Sequence, residues 1–543
     1  MTMRQSDFTA IIDLAAEPGT GPVRTRRPLY VDLLPPCNHA CPAGENIQAW
    51  LALVQAGKHR DAWEALVRDN PMPAVHGRVC YHPCEDHCNR GELDSAVSIH
   101  AVERFLGDLA AKEEWPFKIE APPSGKRVLI VGAGPSGLSA AYHLARMGHA
   151  AKIHEAGPLP GGMLHFGIPA YRLPRDELQK EVRRIEQMGV KIALNHRVED
   201  VLAEKVAGAF DAVFVAIGAH ISKHVDIPAR DAARVLDAVS FLHGVSAGER
   251  PHLGRRVVIY GGGNTAMDAA RTARRLGAEE ALIIYHCDRA HMPAHAFEAD
   301  EALEEGVKIK WLTSIKEIDP SEITVEIMEL NEAGRPQPTG RLEKLHADSV
   351  VLALGQQTDS GFLRTIPGIE FQPDGTVVVA PNMMTGHPGI FAGGDMVPSE
   401  RTVTAAVGHG KKAARHIDTW LRGSAYRPLP KHPIVDFEML HLPIYSDADR
   451  SEQQMLPVAT RATGFAEVLA GLSEDEASYE AKRCLSCGNC FECDQCYAAC
   501  PEQAIEKLGP DRRYRYLYDR CTGCAVCFEQ CPCHAIEMIP EPV

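Results

Sequence analysis

Residues 125–157 read "GKRVLIVGAGPSGLSAAYHLARMGHAAKIHEAG", and the order of strand, glycine turn, helix and second strand within them decides the fold. Gly132 permits a tight turn, Gly134 lets the backbone approach a pyrophosphate, and Gly137 brings helix against strand, which is the dinucleotide fingerprint. Phosphate then sits at the positive end of the helix dipole. Glu155, closing the second strand, is placed to accept a ribose hydroxyl. The pattern returns in residues 255–289, "RRVVIYGGGNTAMDAARTARRLGAEEALIIYHCDR", with Gly261, Gly263 and Ala266 in the three positions. Two such units imply two nucleotides. Residues 383–414, "MMTGHPGIFAGGDMVPSERTVTAAVGHGKKAA", assign them. The strand "GIFAGGD" delivers Gly394 and Asp395, and a helix beginning near Thr402 follows. This suits a flavin, with Asp395 on the ribitol and the helix N-terminus near the ring's electron-rich edge. The first unit is therefore expected to hold FAD. The second, inserted between the two FAD segments, is expected to hold the nicotinamide nucleotide.

Five of the 17 cysteines lie between Cys37 and Cys88, eleven lie between Cys484 and Cys533, and Cys287 stands alone. Clustering of this kind in a long chain favours metal ligation in a reducing compartment. A disulfide framework belongs to small secreted domains with weak cores. Toward the C-terminal end, Cys490, Cys493, Cys496 and Cys500-Pro501 are repeated as Cys521, Cys524, Cys527 and Cys531-Pro532. Each run has the bacterial 4Fe-4S spacing, in which the fourth thiolate crosses to the neighbouring cluster. One cluster is thus expected on Cys490, Cys493, Cys496 and Cys531, and the other on Cys521, Cys524, Cys527 and Cys500. Zinc also accepts paired Cys-x2-Cys, but two complete copies with the terminal proline favour iron–sulfur. Cys533 is surplus and is expected to pack as a small apolar residue. Cys484 and Cys487, in "EAKRCLSCG", precede the first run and are not needed by it.

A composition of 45% hydrophobic and 24% charged residues places the chain among ordinary globular proteins, with roughly three to four domains. A formal charge of −15 argues against nucleic acid as a partner. The opening residues, "MTMRQSDFTAIIDLAAEPG", lack a basic segment followed by an apolar core, so no secretory signal is expected. No apolar run approaches the roughly 18 residues of a membrane span. The expected location is the cytoplasm. The expected fold class is α/β, with two Rossmann-like dinucleotide-binding domains, the NAD domain being inserted in the FAD domain. A helical iron–sulfur domain should precede them and an α+β ferredoxin-like domain should follow. The boundaries read from the sequence are 1–122 for the helical iron–sulfur domain, 123–240 and 346–425 for the FAD domain, and 241–345 for the NAD(H) domain. A connector over 426–480 leads to the ferredoxin-like domain over 481–543.

The N-terminal cysteine region, "VLIVGAGPSGLSAAYHLARMGH", "GGMLHFGIPAYRLP", "GGGNTAMDAARTARRLGA" and "GIFAGGD" together resemble the small subunit of glutamate synthase. The flavin half of dihydropyrimidine dehydrogenase and the large subunit of ferredoxin:NADP transhydrogenase share the layout. The resemblance covers roughly residues 35–425 and implies a protein that passes electrons between a nicotinamide, FAD and iron–sulfur clusters. It also implies that Cys41, Cys80 and Cys84 hold one cluster, with Glu103 in "VSIHAVERFL" as a carboxylate fourth ligand. Three departures are informative. Where the family has Tyr-Arg-Arg to clamp the 2′-phosphate of NADP, this chain has Tyr285-His286-Cys287, which offers no permanent charge or bidentate fork. NAD(H) is therefore favoured over NADP(H), with Arg289 still able to reach a phosphate and Asp288 the one evident ribose carboxylate. Cys287, with no cysteine nearby in sequence, reads as structural. Next, the family's first cysteine pair is missing, which leaves Cys37 and Cys88 with half a site. The missing half resembles "EAKRCLSCG", so Cys484 and Cys487 are expected to fold back and complete a fourth cluster; spare thiols or a separate ion remain the alternatives. The last departure is the ferredoxin-like tail itself, reached through "YRPLPKHPIVDFEMLHLP" and the helix "GLSEDEASYEAKRC".

Hydride transfer needs no nucleophile or general acid–base residue, because the cofactors carry the chemistry; no catalytic side chain is singled out. The expected function is that of an electron-transfer subunit for a larger oxidoreductase, with a 2-oxoacid:NAD oxidoreductase of the phenylglyoxylate or 2-oxoglutarate type as the leading partner. A stand-alone ferredoxin:NAD(P) reductase, a glutamate synthase small subunit and a non-enzymatic redox sensor or scaffold are the alternatives. Expected partners are catalytic subunits, ferredoxin or both.

Overall fold

Val128, Leu129, Ile130 and Val131 are all buried, so the fingerprint strand Arg127–Val131 belongs at the centre of a sheet covered on both faces. In a computed structural model it is the middle strand of five, in the order Ile390–Ala392, Ala212–Val215, Arg127–Val131, Ala150–His154 and Lys191–Ala193, all parallel. The structure describes residues 24–541 except 223–226, 229–233, 429, 443–444 and 510–511. The opening stretch read for a secretory signal lies outside the described residues. Pro135 starts the helix Pro135–Arg146 directly after Gly134, where its fixed φ and missing N–H cost nothing. This helix lies against the helix Val403–Leu421, so closely that a Cβ on Gly410 would come within 2.3 Å of the Ser136 carbonyl oxygen. Both helices that open toward the first nucleotide site are thereby held in one block.

The second parallel sheet runs Lys308–Lys310, Glu280–Ile284, Arg256–Tyr260, Ser349–Leu352 and Arg234–Asp237. An antiparallel sheet of Thr313–Ile318, Glu322–Leu330 and Pro336–His346 packs on it through Ile315, Ile323 and Val325. The chain enters and leaves this unit along the paired strands Ile221–Ser222 and Gln356–Gln357. The insertion of one dinucleotide domain in the other is thus present, but its edges are wider than 241–345. Ser349–Leu352 pairs with Arg256–Tyr260 on one side and Arg234–Asp237 on the other, so both belong to the second sheet.

The N-terminal helices Ile47–Gln55, His59–Leu66 and Ile99–Lys112 bury Trp50, Trp63, Leu66 and Leu106 in a core of their own, while Pro73–Val79 packs Val75 and Val79 into the core of the first sheet. Leu472, Ala477 and Ala481 complete this core. The two alanines come from the helix Glu474–Lys482, which starts just after Leu472 on a capping box between Ser473 and Glu476. The 426–480 segment is therefore more than a spacer. Val435 is fully buried among Leu33, Leu440 and Leu485, and Leu34 exchanges backbone hydrogen bonds with the strap at Pro433 and Val435 (2.8 and 3.1 Å). The tail holds the short helices Gln495–Ala499 and Val526–Glu529 and the hairpin strands Ile505–Lys507 and Tyr514–Tyr516. Its last strand, Ile536–Pro540, pairs antiparallel with Arg26–Tyr30. The 1–122 boundary is corrected accordingly: its first described strand is an edge of the tail, with Tyr30 stacked on Tyr516 at 4.8 Å.

Candidate functional site

The two fingerprints open into one cavity of about 1510 Å³, lined by Gly132, Gly134, Glu155, Gly261, Gly263, Gly394, Asp395 and Thr402. Gly132 has φ of 105°, and a Cβ there would come within 2.5 Å of the Ala216 carbonyl, so only glycine makes the turn. A Cβ on Gly134 or Gly263 would meet nothing within 4 Å; each leaves open space where a pyrophosphate would pass. Gly137 and Ala266 do not line the cavity. They pack helix on strand, and a Cβ at Gly137 would come within 2.0 Å of the Gly132 carbonyl.

The polar groups on the wall fit a dinucleotide. Glu155 accepts from the backbone N–H of Ala133 and of Gly157, both at 2.7 Å, which fixes its carboxylate at the cavity edge. Burial pushes the Asp395 carboxyl up to about 6, with Arg401 partly offsetting it. The Ser136 hydroxyl, in the first turn of the fingerprint helix, is buried and has no hydrogen-bond partner in the protein. Sequence reasoning passed over Ser136, since it occupies a variable place in the glycine loop. Thr402 caps the helix Val403–Leu421, accepting from the Ala405 N–H at 3.1 Å. An unpartnered hydroxyl and a destabilised carboxylate are what FAD phosphate and ribitol groups would satisfy.

On the nicotinamide side, His286 lines the cavity, and burial lowers its proton affinity. Arg289 does not reach the cavity: it is exposed and pairs with Asp300 at 2.5 Å, so its expected part in phosphate binding is not borne by its geometry. Asp288 is engaged with the N–H and Nδ1 of His291, at 3.0 and 2.7 Å. Cys287 is buried, as expected of a structural residue.

The cysteines converge as four groups. Cys490, Cys493 and Cys531 crowd Cys496 and, after burial itself, push its thiol up to about 11. Cys500, Cys521, Cys524 and Cys527 line one small cavity. These are the crossed sets expected from the spacing. Cys533 is buried, with its sulfur 3.9 Å from that of Cys531. In the N-terminal domain, burial, then Glu85 and the nearby Cys80 and Cys41 sulfurs, raises the Cys84 thiol, and burial, then Glu45 and Glu103, raises those of Cys41 and Cys80. Asn70 donates to both carboxylates, at 2.7 Å to Glu103 and 3.0 Å to Glu45. Burial lifts Glu103 well above the usual range and Glu45 to about 7. Glu103 is thus beside Cys41 and Cys80, and Glu45 is a second carboxyl there that no sequence motif indicated.

The last group answers for Cys484 and Cys487. Burial, followed by the nearby Cys88, Cys484 and Cys487 sulfurs, raises the Cys37 thiol well above its ordinary range. Cys88 likewise acts on Cys484 and on Cys487. Arg483, just ahead of Cys484, donates to Asp94 at 3.1 Å, and Gln48 donates to the Ser486 hydroxyl at 2.7 Å. The backbone has the conformation of a cluster loop. His82, Ser486 and Gly523 each stand two residues after a cysteine with φ of 40°, 54° and 69°. Their N–H groups donate to Cys80, Cys484 and Cys521 Sγ at 3.2, 3.4 and 3.4 Å. Left-handed backbone costs His82 and Ser486 energy, and turning N–H groups toward a thiolate offsets that cost. Ala504 and Ala535 donate in the same way to Cys500 and Cys531, both at 3.2 Å. Grouped sulfurs with backbone donors aimed at them are a donor set that fits 4Fe-4S clusters.

Among the described residues no helix is long and apolar enough to cross a membrane. Residues 126–410 match the pyridine nucleotide-disulphide oxidoreductase family. Residues 27–115 match dihydropyrimidine dehydrogenase domain II, 4Fe-4S cluster, and 489–535 match the 4Fe-4S dicluster domain. The chain is 37% identical over 499 residues to the NADP(+)-dependent formate dehydrogenase subunit beta of Moorella thermoacetica, covering 83% of this chain and 70% of that one. It is 34% identical over 509 residues to the NADPH-Fe(3+) oxidoreductase subunit beta of Geobacter sulfurreducens, covering 83% and 75%. To the glutamate synthase [NADPH] small chain of Escherichia coli it is 32% identical over 418 residues, covering 71% and 89%. The chain therefore belongs to the pyridine nucleotide-disulphide oxidoreductase family, as an FAD and iron–sulfur oxidoreductase of the glutamate synthase small-subunit kind with 4Fe-4S domains on either side of its nucleotide core.

Proposed function

We propose that this chain is the NAD(H)-oxidising or NAD-reducing electron-transfer subunit of a larger oxidoreductase, with four 4Fe-4S clusters leading from the flavin to the tail. Bound FAD supplies the junction between a two-electron hydride carrier and one-electron clusters. The residues of the chain bind and orient. Gly134 and Gly263 admit the two pyrophosphates, Glu155 fixes the adenosine end, and Asp395 and the Thr402-capped helix meet the flavin. We assign Cys41, Cys80, Cys84 and Glu103 to the first cluster, and Cys37, Cys88, Cys484 and Cys487 to the second. Cys490, Cys493, Cys496 and Cys531 take the third, and Cys500, Cys521, Cys524 and Cys527 the fourth.

The observation that carries this reading is the meeting of Cys37 and Cys88 with Cys484 and Cys487, because it supports a cluster between the flavin core and the tail. Cys487 and Cys490 are three residues apart, so the second and third sites are tied within about 11 Å of chain. NAD(H) is supported by the place of His286 in the cavity, where burial lowers its proton affinity, and by the pairing of Arg289 with Asp300. The relatives' names specify NADP or NADPH, which is the opposing observation. The thiolate-rich sites suit the reducing cytoplasm, where we place the protein.

The partner we propose is a catalytic subunit, of the 2-oxoacid oxidoreductase class or, as the name of the Moorella relative favours, of a formate dehydrogenase. Affinity purification of the chain from its own cells tests this. A copurifying catalytic subunit whose substrate reduces the bound flavin is the expected result. A chain that purifies alone and reduces ferredoxin from NADH at full rate would make it a free reductase.

A further inference from the structure

Three residues of the flavin helix Val403–Leu421 meet the loops that carry the first cluster's ligands. Thr404, buried in the first turn, donates its hydroxyl to Cys80 Sγ at 3.0 Å. At Gly408, a Cβ would come within 2.1 Å of the Pro42 carbonyl oxygen, directly after Cys41. Lys411 Nζ donates to the carbonyls of Ala43 and Gly44 at 2.7 and 2.9 Å and pairs with Asp69 at 2.5 Å. Positions 404, 408 and 411 are spaced i, i+4 and i+7, so they share one face of the helix. The end of that helix, with Thr402, Val403 and Ala406, lines the flavin cavity. One rigid element therefore touches both the flavin's place and a cysteine sulfur.

We propose that Thr404 is a potential-setting residue for the cluster on Cys41, Cys80 and Cys84, acting through its hydrogen bond to the Cys80 sulfur; this rests on the ligand assignment above. Reduction adds negative charge to a cluster and its thiolates. A donor on a ligand sulfur stabilises the reduced form more than the oxidised one, and so raises the reduction potential. The Cys80 sulfur also accepts the His82 N–H at 3.2 Å, but that donor comes from the cluster loop itself. Thr404 is the one of the two whose placement is fixed by the flavin helix, so this cluster would be tuned by the element that also lines the flavin cavity. The other cysteine groups have side-chain neighbours of their own, Asn89 at Cys487 (3.5 Å) and Tyr30 at Cys496 (3.3 Å). The effect of Thr404 should accordingly be confined to one cluster.

The test is a redox titration of the anaerobic, FAD- and cluster-loaded protein, followed by EPR, on wild type, Thr404→Val and Thr404→Ser. Valine keeps the shape and removes the hydroxyl; serine restores it. The expected result is full iron content in all three, with one EPR component moved to a more negative midpoint potential in Thr404→Val and returned toward the wild-type value in Thr404→Ser. That component should be the one missing from Cys80→Ala. Unmoved potentials in an iron-replete Thr404→Val protein would overturn the proposal alone. Iron lost equally from the Val and Ser variants would also overturn it, by making Thr404 a packing residue. A Cys80→Ala protein with its iron complement intact would overturn the ligand assignment and the proposal together.

Discussion

Asp395 gives the clearest titration at the residue scale, because burial pushes its carboxyl up to about 6 from an ordinary 3.8. A raised folded-state value favours the protonated form. Its contribution is therefore fully present below about pH 4 and is lost as pH rises through about 6. Flavin-free protein should lose roughly 2 kcal/mol across that window, after discounting for partial exposure. Thermal midpoints at pH 4.5 and 7 should differ less in Asp395→Asn than in wild type, and the variant should release FAD more readily; equal slopes would remove Asp395 from this role. Nucleotide choice is argued at the same scale. His286 is the cavity-lining position, whereas Cys287 is buried and would bury an arginine. His286→Arg alone should raise kcat/KM for NADPH about ten- to a hundredfold, from a charge-assisted pair of roughly 1.5–3 kcal/mol. Wild type should prefer NADH, and a native preference for NADPH would refute the reading of this loop. The fingerprint glycines and Asp395 were legible from sequence because each residue type answers a strict local demand. Ser136 and Thr404 were not, since a lone hydroxyl acquires meaning only from what the fold sets beside it.

At the scale of elements, the helix Glu474–Lys482 decides whether the tail stays on the N-terminal domain. Glu480 is fully buried and accepts from the backbone N–H of Ser98 (2.8 Å) and Ser451 (2.6 Å) and from Arg483 (2.9 Å). Breaking this buried pair with Glu480→Gln should cost about 3–5 kcal/mol, and Ser473→Ala, which removes only the cap, about 1 kcal/mol. Denaturation followed by visible cluster absorbance should therefore show Glu480→Gln losing its first transition much earlier than Ser473→Ala; similar midpoints would contradict the anchoring role. This helix was named from the sequence GLSEDEASYEAKRC, whose Ser473 and Glu476 form its capping box. The strands Arg234–Asp237 and Ser349–Leu352 were not. Each is four residues long, too short for a period to register, and the pairing of Ser349–Leu352 with both Arg256–Tyr260 and Arg234–Asp237 assigns them to the second sheet. Arg26–Tyr30 was misassigned for a similar reason, since its partner strand lies at the other end of the chain.

For the whole molecule, the N-terminal cysteines and the tail form one electron path only if a site is split between distant parts of the sequence. Anaerobically purified protein should then contain about 16 iron per chain, against about 12 if the split site holds no cluster. The most direct measurement is the iron content of Cys484→Ser/Cys487→Ser, of Cys37→Ser/Cys88→Ser, and of all four changes combined, each with FAD counted alongside. Residues that ligate together lose their function once, so each protein should lack about 4 iron, the combination no more than either pair, with FAD retained and still reduced by NADH. A Cys484→Ser/Cys487→Ser protein with its full iron content, or losses that add in the combined variant, would contradict the shared cluster.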